Sequence, residues 1–241
     1  MNREVQSLDQ IRARFANVIT RIAAAAARSG RRADGVTLVA ITKNHPADVL
    51  RMGLEVGMRD FGENRVQEAE AKINEIGRAA VQWHLVGHLQ SNKARRAVKL
   101  FDVIHSLDNP SLAEQLDRLC SEERRELLSV MVQVDLGQEE AKSGVDESQV
   151  QELVNVIRKC TRLRLIGLMT LPPFFDDPEL TRPYFRRLRN MRDEFQRDGH
   201  FGNNGGQLSM GMTNDFEVAI EEGATMVRVG TAIFGERVHG C

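Results

Sequence analysis

One lysine of the sequence, Lys43, stands where an amine could act as a nucleophile. It directly follows the apolar run 36–42 (VTLVAIT), whose β-branched residues are typical of a buried parallel strand. An amine attacks a carbonyl only when it is deprotonated, so such a site needs burial or a nearby cation to favour the neutral form. A surface lysine without a chemical role is the alternative, and position alone favours it.

Two segments rich in small residues suggest a second kind of chemistry, the binding of an anion. Residues 209–214 read SMGMTN and residues 228–231 read RVGT. Small side chains let backbone N–H groups approach a phosphate, often beside a helix N-terminus. Ordinary turns use the same residue types, which leaves phosphate binding and simple turn formation both open.

Arg228 bears on which phosphate compound such a site would take. A lysine that forms an imine, combined with a phosphate site, fits either a class I aldolase acting on a sugar phosphate or a pyridoxal phosphate protein. A permanently charged guanidinium could hold a substrate oxygen. It could equally face the pyridine nitrogen of a cofactor, where it would disfavour a ring proton and weaken the electron sink of pyridoxal chemistry.

The elements that must position these residues alternate regularly between strands and helices. An amphipathic helix ending near Gly30 comes first. Eight strands are then predicted at 36–42, 59–63, 81–86, 101–107, 128–136, 163–171, 206–210 and 225–234, each followed by a helical or turn segment. Strict alternation predicts a parallel sheet. We expect a single (β/α)8 TIM barrel over residues 1–241 with an additional N-terminal helix, functional at the C-terminal ends of its strands. A doubly wound open sheet is the competing fold.

Composition excludes several classes of function. Hydrophobic residues make up 41% and charged residues 28% of the chain, and the formal net charge is −1, as in soluble globular proteins. Without a basic excess we expect no nucleic-acid or membrane partner. No apolar run approaches the roughly 20 residues that span a bilayer. The three scattered cysteines predict neither a metal site nor a disulfide framework, and we expect a cytoplasmic protein.

Eight stretches of the sequence closely resemble the YggS/PROSC family of pyridoxal phosphate homeostasis proteins. They are AITKNHP (40–46), RDFGENRVQEA (59–69), WHLVGHLQSNKAR (83–95), IHSLD (104–108), KSG (142–144), GLMTLPP (167–173), LSMGMTNDFEVAI (208–220) and MVRVGTAIFG (226–235). They run from the first predicted strand to the eighth. The combination of GEN, HLQSNK, LSMGM and RVGTAIFG is highly specific.

The resemblance implies a barrel like the N-terminal domain of alanine racemase, with pyridoxal 5′-phosphate as cofactor and no metal. Lys43 would form a Schiff base, and Arg228 would face the pyridine nitrogen. The remaining site residues implied are Ser209, Gly230 and Thr231 for the phosphate, Asn64 and Met210 beside the ring, and His84 toward the cofactor floor. A packed barrel histidine is an equally good interpretation of His84.

The family also implies a function in cofactor balance without robust catalysis. Apo-enzymes that need pyridoxal phosphate are the implied partners, and a monomer is expected. His88 stands where many members have proline, and the loop 137–144 is one of several versions. Neither difference touches the residues assigned to the Schiff base or the phosphate, but the role of both segments stays open.

Whether the protein is an enzyme or a carrier depends on a second acid/base group. An alanine racemase uses a lysine and a tyrosine on opposite faces of the cofactor. The one tyrosine here, Tyr184, falls on a predicted outer helix, and few residues follow Gly235, so we expect no second domain. These features favour a protein that holds the cofactor. A weak amino-acid racemase or lyase and a sugar-phosphate aldolase are the alternatives.

Overall fold

Eight parallel strands close into a barrel in the part of the chain that the structure describes. The computed structural model describes residues 7–79, 81–137, 143–202 and 206–235. The strand order is β4-β3-β2-β1-β9-β8-β7-β5, and pairing of β4 with β5 closes the circle. The predicted TIM barrel is therefore confirmed over the open doubly wound sheet. A ninth strand of two residues, β6, pairs with the C-terminal end of β5.

The strands and helices alternate as the sequence predicts. The strands are β1 (Thr37–Ile41), β2 (Asp60–Glu63), β3 (Gln82–Leu85), β4 (Val103–Leu107), β5 (Leu128–Asp135), β6 (Val145–Asp146), β7 (Leu163–Thr170), β8 (Gln207–Ser209) and β9 (Met226–Val229). The helices are α1 (Leu8–Arg28), α2 (Ala47–Glu55), α3 (Val66–Ile76), α4 (Ala94–Leu100), α5 (Pro110–Glu122), α6 (Val150–Lys159), α7 (Arg182–Arg197), α8 (Phe216–Glu221) and α9 (Thr231–Phe234).

The predicted additional helix, α1, has clear start and stop signals. Ser7 and Gln10 form a reciprocal capping box at its start, which satisfies two backbone N–H groups. Gly30 adopts a left-handed conformation just past its end, a common helix stop. The helix packs against α8, where Arg21 forms a two-bond ion pair with Glu217 at 2.8 and 2.9 Å. Within the described residues, no helix has the length and apolar character needed to cross a membrane.

The eighth predicted strand, 225–234, is wrong in its second half. Strand β9 ends at Val229, and residues Thr231–Phe234 form the short helix α9. The carbonyl of Gly230 accepts hydrogen bonds from the N–H groups of Ile233 and Phe234, so a helical turn begins where the strand was expected to continue. A short apolar run fits a buried strand or a helical turn equally well, because periodicity cannot separate them at this length. Strand β6 was missed because two residues carry no pattern.

Side chains on alternate residues of each strand form two separate apolar cores. One core lies between the barrel and the surrounding helices and contains most of the buried residues. The other fills part of the barrel interior and consists of Val103, Met131 and Met169. Residues in register point to the same side, so the pairing of Val39 with Arg228 and of Gly62 with His84 fixes which side chains share the interior.

Gly167 permits the close pairing of β7 with β8. A Cβ atom built there would lie 2.0 Å from the carbonyl oxygen of Gln207, a distance that requires the backbone to move. We expect Gly167→Ala to lower the free energy of unfolding by about 1–3 kcal/mol, as other overpacked positions do. Urea denaturation measures this.

Gly35 supplies the matched control for that substitution. A Cβ atom there meets no heavy atom within 4 Å, so Gly35→Ala should change stability by no more than about 0.5 kcal/mol. Equal effects of the two substitutions would contradict the packing argument.

Candidate functional site

Lys43 lies at the C-terminal end of the barrel, in the turn that follows β1. The preceding residue, Thr42, points outward, because its hydroxyl donates to Glu63 at 2.6 Å in the layer between barrel and helices. Alternation along the strand therefore turns Ile41 toward the interior, and Lys43 follows in the turn after β1. Lys43 is partly buried, and the turn that carries it contacts α9 through the rings of His45 and Phe234, whose centroids are 5.2 Å apart.

Helix α3 holds the backbone on both sides of Lys43. Lys72 is 5% exposed and donates to the carbonyl oxygen of Thr42 at 2.6 Å. The N–H of Asn44 donates to the carboxylate of Glu68, and Lys72 also donates to that carboxylate at 2.7 Å. Asn44 adopts a left-handed φ of 65°, so the chain turns sharply after Lys43. The direction in which Lys43 leaves the backbone is thus determined by two side chains of α3.

Glu63 completes this cluster, which we call the α3 clamp: Thr42, Glu63, Glu68 and Lys72. Lys72 donates to Oε1 of Glu63 at 2.7 Å, and both side chains are almost fully buried. The second oxygen, Oε2, has no hydrogen-bond partner among the described residues. Burial raises the pKa of Glu63 and the charge of Lys72 opposes the rise. A buried carboxylate of this kind depends strongly on its single cation.

Arg228 occupies the barrel interior beside the end of β8. Its guanidinium donates to the hydroxyl of Ser209 at 2.6 Å and to the carbonyl oxygen of Thr170 at 2.8 Å, and the residue is 3% exposed. Burial lowers the pKa of Arg228 to about 10, and the charge of Asp215 opposes this. Arg228 therefore stays cationic at neutral pH. A guanidinium has five N–H donors, so it keeps donors beyond the two bonds described.

The predicted phosphate residues Gly230 and Thr231 lie next to the end of β1. A Cβ atom on Gly230 would lie 3.1 Å from the carbonyl oxygen of Ile41, so the two strand ends touch directly. Thr231 begins α9 and is exposed, and N–H groups in a first helical turn have no intrahelical acceptor. The hydroxyl of Thr213 lies 3.5 Å from the N–H of Ala232. Thr213 belongs to the segment 209–214, but the sequence alone gave no reason to single it out as a site residue.

Two other predicted site residues lie deeper than expected. Ser209 is fully buried, and its hydroxyl bonds to Arg228 and, at 2.9 Å, to His105. Met210 is fully buried and belongs to the core between the barrel and the helices. These positions favour a role for Ser209 in orienting Arg228 and a packing role for Met210. Direct contact of either side chain with a ligand stays a prediction.

The other two predicted residues are Asn64 and His84. Asn64 follows β2 and is partly buried, and its backbone packs so closely on Gly87 that a Cβ atom there would lie 2.3 Å from the Asn64 carbonyl oxygen. His84 is fully buried inside the barrel, where it contacts Asp60 at 3.0 Å and His105 at 2.9 Å. The described structure thus gives His84 partners on two neighbouring strands.

Besides Thr213, sequence reasoning missed three residues that shape this site. Asp60 and His105 continue the contacts of His84, and Lys72 holds the turn of Lys43. His105 could have been found, because it stands on a predicted strand two residues from Val103 and so shares its interior face. Lys72 gave no such signal, since a lysine on an amphipathic helix usually lies in solvent. His88 lies 3.3 Å from Asp108, and residues 138–142 of the loop 137–144 lie outside the described part.

Comparison with known proteins connects this geometry to a family. Residues 10–238 match the model of the alanine racemase N-terminal domain. The pyridoxal phosphate homeostasis protein of Aquifex aeolicus is 40% identical over 94% of this chain and 98% of its own length. The Escherichia coli K12 protein of the same name is 38% identical over 95% of this chain and 98% of its own. The chain belongs to the family of pyridoxal phosphate homeostasis proteins.

Solved structures agree with membership in the pyridoxal phosphate homeostasis proteins. PipY of Synechococcus elongatus is 37% identical to this chain. Its structure with pyridoxal phosphate bound matches this chain with a TM-score of 0.81, and its structure without the cofactor with a TM-score of 0.83. Each match covers 93% of this chain and the whole of PipY. Alanine racemase of Corynebacterium glutamicum, 19% identical with a TM-score of 0.67, covers 95% of this chain and 61% of that one. This last likeness shows the fold alone.

The buried ion pair of the α3 clamp predicts a large effect of removing its cation. We expect Lys72→Met to lower the free energy of unfolding by about 3–5 kcal/mol, because it leaves the buried carboxylate of Glu63 unpaired. Chemical denaturation measures the loss. The double variant Glu63→Gln with Lys72→Met should cost clearly less than the sum of the two single variants.

Lys99 provides the matched control for the clamp. It pairs with Glu123 at 2.9 Å, but its side chain is 55% exposed, so Lys99→Met should cost at most about 1 kcal/mol. An equal cost at Lys72 and Lys99 would show that burial does not strengthen the dependence of Glu63 on its cation.

Because His105 is buried, we expect the protein to lose stability in mild acid. Burial is the main cause that lowers the pKa of His105 well below 6.5, and the charge of Arg228 adds to it. Below about pH 6.5 the unfolded chain takes up a proton at this residue and the folded chain does not. Stability should therefore fall as the pH falls, with a slope from this residue approaching about 1.4 kcal/mol per pH unit.

Unfolding free energies measured between pH 7 and 5 check this sign. His105→Gln should reduce the slope of the unfolding free energy against pH by the amount that corresponds to about one bound proton. His88→Gln should leave this slope nearly unchanged, because the His88 side chain is 49% exposed. Equal slopes in the wild-type protein and His105→Gln would refute the assignment.

Proposed function

We propose that this protein binds pyridoxal 5′-phosphate as a Schiff base on Lys43 and takes part in holding and supplying the cofactor, without robust catalysis of its own. The observation that carries the proposal is the pairing of the two strands that position Lys43 and Arg228. Lys43 follows β1, Arg228 lies on β9, and the two strands are neighbours in register at Val39 and Arg228. The solved PipY structure with pyridoxal phosphate and the names of the close relatives support the choice of cofactor.

The residues present fit an anionic aromatic aldehyde. Lys43 offers an amine at the mouth, and Gly230 leaves no side chain between the ends of β9 and β1. Thr231 and the nearby hydroxyl of Thr213 are polar groups suited to a phosphate. Arg228 supplies a buried cation with N–H donors still available. We propose that Gly230 and Thr231 hold the phosphate and that Asn64 lies beside the ring.

Each of these residues would act by holding or orienting a group. When bound, pyridoxal phosphate supplies an electrophilic aldehyde and an electron sink. Lys43 holds the aldehyde carbon covalently, in a direction set by the α3 clamp. Arg228 directs N–H groups at the ring nitrogen, and its charge disfavours a proton there. A ring nitrogen kept neutral is a weak electron sink, which favours retention of the cofactor over turnover of an amino acid.

The position of the sequence's one tyrosine also supports a carrier. Tyr184 lies on α7 in the outer helical ring, with its ring centroid 6.1 Å from that of Phe175. It therefore does not supply the second acid/base group that an alanine racemase places opposite its lysine. The likeness of the fold to alanine racemases makes weak racemase or lyase activity the second candidate function.

The proposal predicts a visible absorbance band that depends on Lys43. The purified protein loaded with pyridoxal phosphate should absorb as an imine, and Lys43→Ala should lose that band because it removes the amine. Reduction with borohydride followed by peptide mapping should place the label on residue 43. Lys99→Ala, an exposed lysine in a surface pair, should keep both signals.

Other outcomes would select another function. A label on a different lysine would refute the proposed linkage. Steady turnover of a single amino acid, lost in Lys43→Ala, would favour the racemase or lyase. A protein that stays colourless with pyridoxal phosphate and is trapped by a ketose phosphate would identify an aldolase.

A further inference from the structure

A chain of hydrogen-bonded side chains crosses the barrel interior below the proposed cofactor site. It starts at Arg228 on β9 and passes through Ser209, His105 and His84 to Asp60 on β2. The successive distances are 2.6 Å from Arg228 to Ser209, 2.9 Å from Ser209 to Nδ1 of His105, 2.9 Å from Nε2 of His105 to Nδ1 of His84, and 3.0 Å from Nε2 of His84 to Asp60.

The two ends of this chain differ in their access to water. Ser209, His84 and His105 are fully buried and Arg228 is 3% exposed. Asp60 is the first residue of β2, at the opposite end of the barrel from Lys43, and its side chain is 23% exposed. The chain therefore connects a partly exposed carboxylate at the N-terminal end of the barrel with a buried cation beside the end of β8.

The proton positions follow from the two charged ends. Arg228 can only donate, so Ser209 Oγ accepts from it and the single hydroxyl proton remains to donate to Nδ1 of His105. An ionised Asp60 can only accept, so Nε2 of His84 carries a proton. Nε2 of His105 then donates to Nδ1 of His84. Every bond points from the guanidinium toward the carboxylate, and both histidines are neutral with the proton on Nε2.

Other arrangements satisfy the same distances, and each of them requires a proton on Nδ1 of His105. His84 could be doubly protonated, which would make Nε2 of His105 an acceptor and place the proton of His105 on Nδ1. Ser209 Oγ would then receive two hydrogen bonds, and its own proton would have no acceptor among the described residues. A second cation would also be buried in the interior that already holds Arg228, at a considerable desolvation cost. The chain with two neutral histidines is favoured on both counts.

We propose that Asp60, His84 and His105 are positioning residues for Arg228. They act through Ser209 in a chain whose hydrogen bonds all point the same way, and this chain holds the guanidinium of Arg228 at the cofactor ring. The part of this inference that concerns the cofactor rests on the proposed function. A carboxylate at the far end of the barrel thereby sets the environment of a ring bound at the mouth. Ser209 serves as the last link of the chain.

The proton positions can be measured without any cofactor. Full-length protein with ¹⁵N-labelled histidine, studied by NMR at neutral pH, reports which ring nitrogens carry protons. We expect the resonances of His84 and His105 to show a protonated Nε2 and a bare Nδ1. A doubly protonated His84, or a proton on Nδ1 of His105, would overturn the proposed direction.

Substitutions at Asp60 test whether the chain transmits an effect. Asp60→Asn keeps an oxygen that can accept from His84 and should preserve both tautomers. Asp60→Leu removes the acceptor and should shift the nitrogen resonances of His105, a residue that Asp60 does not touch. Asp34→Leu is the control, because Asp34 precedes β1 at the same end of the barrel and its exposed carboxylate pairs with Arg32. It should leave the histidine resonances unchanged.

The cofactor provides the second readout. We expect His105→Phe to shift the absorbance maximum of bound pyridoxal phosphate and to weaken its binding about tenfold, the effect of losing one ordered hydrogen bond. Unchanged absorbance and binding would overturn the link to the ring. If the wild-type protein binds no pyridoxal phosphate, the proposed function fails, while the tautomers in the free protein still decide the direction of the chain.

Discussion

The constraint on which the site depends is the alternation of side chains along a closed parallel barrel. A strand has two faces, and a shift of one residue in register exchanges them. Just past the end of β1, Thr42 points outward into the α3 clamp, and Lys43 follows it in the turn at the mouth. The register of Val39 with Arg228 places the inward face of β1 beside the guanidinium. Neither Thr42 nor Arg228 could be moved to the other face without losing the helix contacts or the site.

Two polar systems support the site, and they differ physically. The α3 clamp is an ion pair outside the barrel that holds backbone atoms. Its contribution to stability depends on a buried carboxylate and a buried ammonium remaining paired, since either charge alone would carry a large desolvation penalty. The interior chain consists of hydrogen bonds between neutral groups with a charge at each end, and such bonds contribute most by excluding other arrangements. One system determines where the amine lies, and the other determines how the cation is oriented.

The sequence predicts the barrel and the identity of the main site residues, but not the contacts between them. The strands were found because β-branched and apolar runs recur between amphipathic helices, and Lys43 and Arg228 were found by their places at strand ends. The predicted end of the last strand was wrong, because a short apolar run fits a helical turn equally well. The contact between Asp60 and His84 could not be predicted, since it depends on the register of β2 with β3. The depth of Ser209 and Met210 depends likewise on which face each residue takes.

The end of β1 lies between two residues that have no side chain. A Cβ atom on Gly62 would lie 2.5 Å from Cδ1 of Ile41, and one on Gly230, on the opposite neighbouring strand, would lie 3.3 Å from Cβ of Ile41. Ile41 thus fills a slot whose two walls are bare backbone. Any branched or bulky residue introduced into either wall would displace Ile41, and the displacement would pass along two peptide units to the amine of Lys43. The position of the backbone that bears the amine therefore depends on two glycines that lie far apart in the sequence.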